Sequence, residues 1–178
     1  MTEINTEQLV KNLISTFLDA GEISINLRNK GLTKKIKSDN TPVSNGDIEV
    51  NNLITKKLQN LTPSIPIVSE ETSDNKSIKN LKNFWLVDPI DGTYDYINNL
   101  DEFTINAGLI LNQKPVAGLI YAPAKKRMFY SYSEGNSYEL TDGKEIKLDG
   151  SRNFDSKNIK FVSYSNKINQ KFRKYLIN

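Results

Sequence analysis

The segment Trp85-Leu86-Val87-Asp88-Pro89-Ile90-Asp91-Gly92-Thr93 opens as an apolar run and ends in two carboxylates three positions apart. Such a run predicts a buried strand that stops at Asp88-Pro89. Pro89 fixes the chain between the aspartates, Gly92 permits close backbone approach to a ligand, and Thr93 adds a hydroxyl. A helix starting here would present free N–H groups suited to a phosphate. A turn with a capping aspartate would explain Asp88 and Asp91 taken alone. It would not explain why further carboxylates precede them.

Upstream, Glu70-Glu71 forms a second acidic pair after a short strand expected over residues 65–68. Asp47 opens a helix pattern and reads equally as a helix cap or as a site carboxylate. Carboxylates gathered at strand ends repel one another unless a divalent cation neutralises them. The chain has no histidine and no cysteine, which removes Ser-His-Asp triads, Cys-His pairs and the usual zinc sites. Chemistry at neutral pH then falls to carboxylates, hydroxyls, lysines or a bound metal, and oxygen donors favour hard cations such as Mg²⁺.

Around this segment the pattern is regular. Apolar residues recur at helical spacing from residue 6 to about 30, at Leu9, Leu13, Ile14, Phe17, Leu18, Ile23, Ile25 and Leu27, and Gly31 marks the stop. Residues 37–46 are polar, contain Pro42 and read as strand and turn. A second helix runs from Asp47 through Ile48, Val50, Leu53, Ile54, Leu58 and Leu61 until Pro63 and Pro66 end it. Residues 74–83 read as a loop. Strands are expected over 103–111, 116–121, 127–132, 137–140 and 159–162, with a turn at Asn112-Gln113-Lys114 and a helix opening over 166–176. Two helices followed by hairpin-linked strands argue for an α+β layer architecture over an all-parallel α/β sheet.

The 178 residues fit one domain, or one domain and part of another. A net charge of +3 is too small to argue for a nucleic acid polymer as partner. The densest basic cluster, Lys34, Lys35 and Lys37, reads as solvated surface or as mild attraction for an anionic substrate. No apolar run reaches bilayer length, so no transmembrane segment is expected, and the polar N-terminus lacks a signal-peptide pattern. A cytoplasmic protein is the expectation.

Asp88-Pro89-Ile90-Asp91-Gly92-Thr93 matches the DPIDGT signature of the inositol monophosphatase superfamily, and Ser69-Glu70-Glu71 matches its upstream acidic motif. Thr41-Pro42-Val43-Ser44-Asn45-Gly46-Asp47 resembles the family's SPVTxAD segment, with Gly46 where alanine is usual. Gly118-Leu119-Ile120-Tyr121-Ala122-Pro123 resembles its GVVYAP strand. Glu102-Phe103-Thr104-Ile105-Asn106 resembles the GEFTVNIAL segment of the bisphosphate nucleotidase branch. Tyr94-Asp95-Tyr96-Ile97 resembles that branch's KEFI, with Tyr94 in place of lysine.

This resemblance implies a layered helix/antiparallel-sheet sandwich of the inositol monophosphatase/sugar phosphatase type. Residues 1–160 would be its N-terminal metal-binding domain, and residues 161–178 the start of a C-terminal domain. It implies Glu70, Asp88 and the Ile90 carbonyl as ligands of a first Mg²⁺, and Asp88 and Asp91 as ligands of a second. It implies Gly92 and Thr93 as the phosphate-contacting turn, with Glu70, Ile90 and Asp91 beside the substrate. Asp47 and Thr93 would activate the attacking water, and Glu71 would lie next to the site. Two cations can screen an anionic monoester, lower the pKa of water and stabilise the leaving oxygen, while backbone N–H groups at Gly92 and Thr93 would meet the equatorial charge.

The implied reaction is hydrolysis of the 3'-phosphate of adenosine 3',5'-bisphosphate to AMP and phosphate, inhibited by Li⁺ at a Mg²⁺ site. The alternatives are an inositol-1-phosphate phosphatase and a catalytically inactive metal- or phosphate-binding fragment. The family's later WDxAA motif, whose aspartate completes the second metal site, has no match here. A fragment, half of a split enzyme and an inactive truncation all fit that observation. A homodimer or a complementing C-terminal part is the expected partner, beside a small phosphorylated nucleotide or inositol phosphate.

Overall fold

The computed structural model describes residues 4–38, 40–72 and 81–149. Helix α1 spans Thr6–Lys30. Its first turn is capped by the Asn5 side chain, which accepts from Gln8 N–H at 3.0 Å. Gly31, at φ 97°, ends it. Leu9, Val10, Leu13, Phe17 and Ala20 form the buried stripe, as the helical spacing requires, but Leu18 is 41% exposed. Farther along, the buried face passes through Gly21 and Ser24 rather than Ile23 and Ile25. A Cβ at Gly21 would strike the Tyr121 ring, so the small residue lets the helix lie close to the sheet.

Strands β1 (Lys34–Ile36) and β2 (Pro42–Ser44) form a small antiparallel ribbon. Helix α2 spans Asn45–Leu61, two residues longer at its start than the apolar pattern indicates. The remaining strands are β3 (Ile67–Ser69), β4 (Phe84–Asp91), β5 (Thr104–Leu111), β6 (Lys114–Ala122), β7 (Arg127–Ser133), β8 (Asn136–Thr141) and β9 (Lys144–Lys147). The short helix α3 (Thr93–Ile97) follows β4. Among the described residues, β3 to β9 form one sheet in sequential order, antiparallel except for the parallel β3–β4 pair.

Helices α1 and α2 pack on each other and on one face of this sheet, which gives the expected α+β layers. Trp85, Val87, Ile105, Leu109, Leu119 and Met128 point into that interface. Two buried polar bonds fix the strands that carry the acids. Ser69 Oγ donates to Asn51 Oδ1 of α2 at 2.6 Å, and Trp85 Nε1 donates to Thr62 Oγ1 at 2.9 Å.

The loop expected at residues 74–83 lies mostly outside the described residues. The elements expected at 159–162 and 166–176, and the second domain at 161–178, lie wholly outside them. Among the described residues, no helix is long and apolar enough to cross a membrane.

Candidate metal and phosphate site

Strand β4 does not stop at Asp88-Pro89. It continues to Asp91 through a β-bulge. Asp88 is opposite Asn106 and Asp91 is opposite Thr104, so β4 advances three residues while β5 advances two. The extra residue resets the inside–outside alternation. Trp85, Val87 and Pro89 are buried, then Ile90 is buried as well, and Asp88 and Asp91 both fall on the outer face. Without the bulge, two residues three apart would point to opposite faces. Pro89, which has no N–H to offer the ladder, sits where the ladder is interrupted. Asn106 bridges the result: opposite Asp88 in register, it donates from Nδ2 to Asp91 Oδ2 at 3.3 Å.

The parallel pairing of β3 with β4 brings the third carboxylate in. Ser69 is in register with Val87, and Glu70 N–H bonds the Val87 carbonyl at 3.0 Å. Glu70 therefore stands beside Asp88. Burial, then the charges of Glu70 and Asp91, push the Asp88 carboxyl up to about 7. Its Oδ1 is buried with no hydrogen-bond partner.

The Glu70 and Glu71 side chains are both held by Lys37. Its Nζ donates to Glu70 Oε1 at 3.0 Å and to Glu71 Oε1 at 2.8 Å. Burial works to lower the Lys37 pKa, but the bonds to Glu71 and Glu70 outweigh it and hold the group raised. Burial raises the Glu71 pKa, and Lys37 offsets only part of that. Lys37 is thus neither bare solvated surface nor a free lure for anions. It is an ion-pair partner of the acidic motif.

Asp47 caps its helix with one carboxylate oxygen and presents the other to Thr93. It is the third residue of α2, and its Oδ2 accepts from Ser44 N–H at 2.8 Å and from Ser44 Oγ at 2.6 Å, closing a capping box. Its Oδ1 lies 3.1 Å from Thr93 Oγ1, which is also 3.0 Å from the Ile90 carbonyl. Thr93 has one hydroxyl proton for these two acceptors. Gly92, at φ 89°, turns the chain from β4 into α3. A Cβ there would sit 2.7 Å from the Glu102 carbonyl oxygen, so glycine is required on two counts.

The sequence model of the inositol monophosphatase family matches residues 5–176. The chain belongs to the inositol monophosphatase family. Its relatives in that family include the 3'(2'),5'-bisphosphate nucleotidase CysQ of Aggregatibacter actinomycetemcomitans, 35% identical over 147 residues, or 82% of this chain and 55% of that protein. CysQ of Buchnera aphidicola is 35% identical over 159 residues, 83% of this chain and 60% of the relative. The chain thus spans little more than half the length of these relatives. Among solved structures, CysQ from Bacteroides thetaiotaomicron aligns at a TM-score of 0.56 with 27% identity, covering 75% of this chain and 49% of that one. An IMPase/NADP phosphatase complexed with Mg²⁺ and phosphate aligns at 0.68 with 20% identity, covering 76% and 52%, a likeness of fold.

Family membership points to a metal cofactor, and the side chains can be tested against one. An orphaned buried carboxylate oxygen on Asp88 and a second carboxylate on the same face suit a hard divalent cation. Among the described residues, no three acidic side chains close into a ready-made cage. One Glu70 carboxylate oxygen is engaged by Lys37. Three residues at the site went unassigned from sequence: Lys37, Asn106 and Ser44. Lys37 carries no motif signal, and Asn106 becomes a site residue only through the bulge. Ser44 was readable from the Ser44-x-x-Asp47 capping spacing.

Proposed function

We propose that this chain carries the metal-binding and water-activating part of a Mg²⁺-dependent phosphomonoesterase that converts adenosine 3',5'-bisphosphate to AMP and phosphate. The observation that carries it is the bulge, which sets Asp88 and Asp91 on one face, with Asp88 Oδ1 unpartnered, next to the bonded Asp47–Thr93 pair. The substrate class is supported by the curated relatives named 3'(2'),5'-bisphosphate nucleotidase.

In this reading Glu70, Asp88 and the Ile90 carbonyl would hold one Mg²⁺, and Asp88 and Asp91 would hold a second. Bound there, the cations would neutralise the monoester and acidify the attacking water. Gly92 and Thr93 meet the phosphate with backbone N–H groups, bordered by Glu70, Ile90 and Asp91. The Thr93 hydroxyl accepts a proton from the attacking water while passing its own to Asp47 Oδ1, at 3.1 Å. The water oxygen bonds to phosphorus as the ester P–O bond breaks, and the leaving 3'-oxygen takes up a proton from solvent.

The test is phosphate release by the purified chain with and without Mg²⁺, comparing adenosine 3',5'-bisphosphate with inositol 1-phosphate and using Asp91→Asn as control. Mg²⁺-dependent release that favours the nucleotide and disappears in the variant is expected. Preference for inositol 1-phosphate would overturn the substrate. No release from either would overturn the sufficiency of this chain and favour the inactive-fragment alternative.

A further inference from the structure

We propose that Tyr96 is a positioning residue for the Asp47–Thr93 pair, and that Gly46 is the opening that admits it. The effect on phosphate release rests on the function proposed above; the contact itself does not.

Tyr96 lies in α3 and is fully buried. Its hydroxyl donates to the Ser24 carbonyl of α1 at 2.7 Å, and its ring packs on Phe103 at 4.9 Å between centroids. Burial, reinforced by the nearby Asp47 charge, pushes its pKa upward, so the hydroxyl remains a donor. The ring crosses the first turn of α2 at Gly46. A Cβ on Gly46 would lie 2.6 Å from ring Cε1 and 2.8 Å from Cζ, and closer still to the hydroxyl oxygen. A methyl group cannot fit there unless the ring moves, and the ring is held at its tip by Ser24 and along its side by Phe103.

The placement matters because of what shares it. Thr93 and Tyr96 are three apart on α3, and residues at that spacing lie on one face. Their counterparts, Asp47 and Gly46, are adjacent on α2. Helix α3 therefore meets the first turn of α2 through two neighbouring contacts, one of which is the Thr93–Asp47 bond. A five-residue helix has no stability of its own, so its position is set by what it touches. Helix α1 holds both its body and its exit, through Ser24 to Tyr96 and through Arg28 Nη1 to the Leu100 carbonyl at 2.7 Å. The chain also departs from the quoted family patterns at both partners: Gly46 stands where SPVTxAD has alanine, and Tyr96 where KEFI has phenylalanine. A larger side chain on α3 and a smaller one on α2 are the changes that one shared space would require.

The test is a double-mutant cycle of Gly46→Ala, Tyr96→Phe and both together, read by thermal melting, amide NMR and phosphate-release kinetics. Gly46→Ala should lower the melting temperature, shift the Asp47 and Thr93 amide signals, and cut kcat about tenfold with KM within about twofold. Adding Tyr96→Phe frees the ring tip and should recover at least half of the melting loss. Tyr130→Phe, a control at a tyrosine of strand β7, should leave the Asp47 and Thr93 signals in place. Additive melting losses, or unchanged Asp47 and Thr93 signals in Gly46→Ala, would overturn the proposal. Should the unsubstituted chain release no phosphate, the function above fails, while the melting cycle and the NMR signals still decide this contact.

Discussion

Replacing Lys37 by methionine keeps the aliphatic stem and removes the ammonium that Glu70 and Glu71 share. The two carboxylates do not lose equally. The Glu70 side chain is 39% exposed, so its bond at 3.0 Å contributes at most a few tenths of a kcal/mol. The Glu71 side chain is 4% exposed, and without its 2.8 Å partner it becomes a buried carboxylate facing other acids. Breaking a fully buried pair costs ~3–5 kcal/mol, and the residual access of water to Lys37 brings this to about 2 kcal/mol. For a chain of this size that lowers the melting temperature by roughly 4–8 °C in the absence of divalent ions. Metal binding should respond in the opposite sense. If Glu70 is a metal ligand as proposed, a cation in the native chain must displace the ammonium from it, whereas in Lys37→Met Glu70 is free, so Mg²⁺ affinity should rise about threefold to tenfold. Calorimetric melting in chelator and in Mg²⁺ checks both signs with one pair of proteins. A variant that melts like the native chain and binds Mg²⁺ no more tightly would refute the assignment of Lys37 as the resident counter-ion.

Gly92→Ala combines a φ of 89° with a Cβ pressed against backbone at Glu102, and should lose ~2 kcal/mol or more in chemical denaturation. Asp88, raised to about 7 when folded against about 4 when unfolded, favours the folded state while protonated. That stability is fully present below about pH 4 and is lost as pH rises through about 7 in metal-free buffer, some 1–2 kcal/mol after screening at this half-buried group. Asp88→Asn should flatten the melting-versus-pH curve over that window. Thr93→Val removes the hydroxyl between Asp47 and the Ile90 carbonyl, and should cut phosphate release ~100-fold or more while changing stability by under about 1 kcal/mol.

The sequence carried what has local periodicity. Helix α1 and the β5–β6 hairpin were legible because helical spacing and an Asn112-Gln113 turn specify them; both turn residues adopt positive φ, at 50° and 65°. Strand β9 was not, because Lys144-Glu145-Ile146-Lys147 is exposed at every position and has no buried face to betray it. The parallel β3–β4 pair was also hidden, since register between distant segments has no local signature. At the site, the acids were legible as residue types, but their common face was not. Asp88 and Asp91 share it only through a bulge, and a bulge depends on how β5 pairs. The Lys37 bridge to Glu70 and Glu71 spans more than thirty residues and becomes visible only when β1 and β3 are placed. Asp47 stayed open between cap and site residue because the cap uses its Oδ2 and leaves its Oδ1 facing Thr93.

The most direct measurement is a calorimetric titration of the metal-free chain with Mg²⁺, beside Asp88→Asn. Saturable binding to the native chain, weakened at least about tenfold in the variant, is the predicted result. A native chain that takes up no Mg²⁺, or an Asp88→Asn variant that binds it equally well, would contradict a cation site built on the β4 carboxylates.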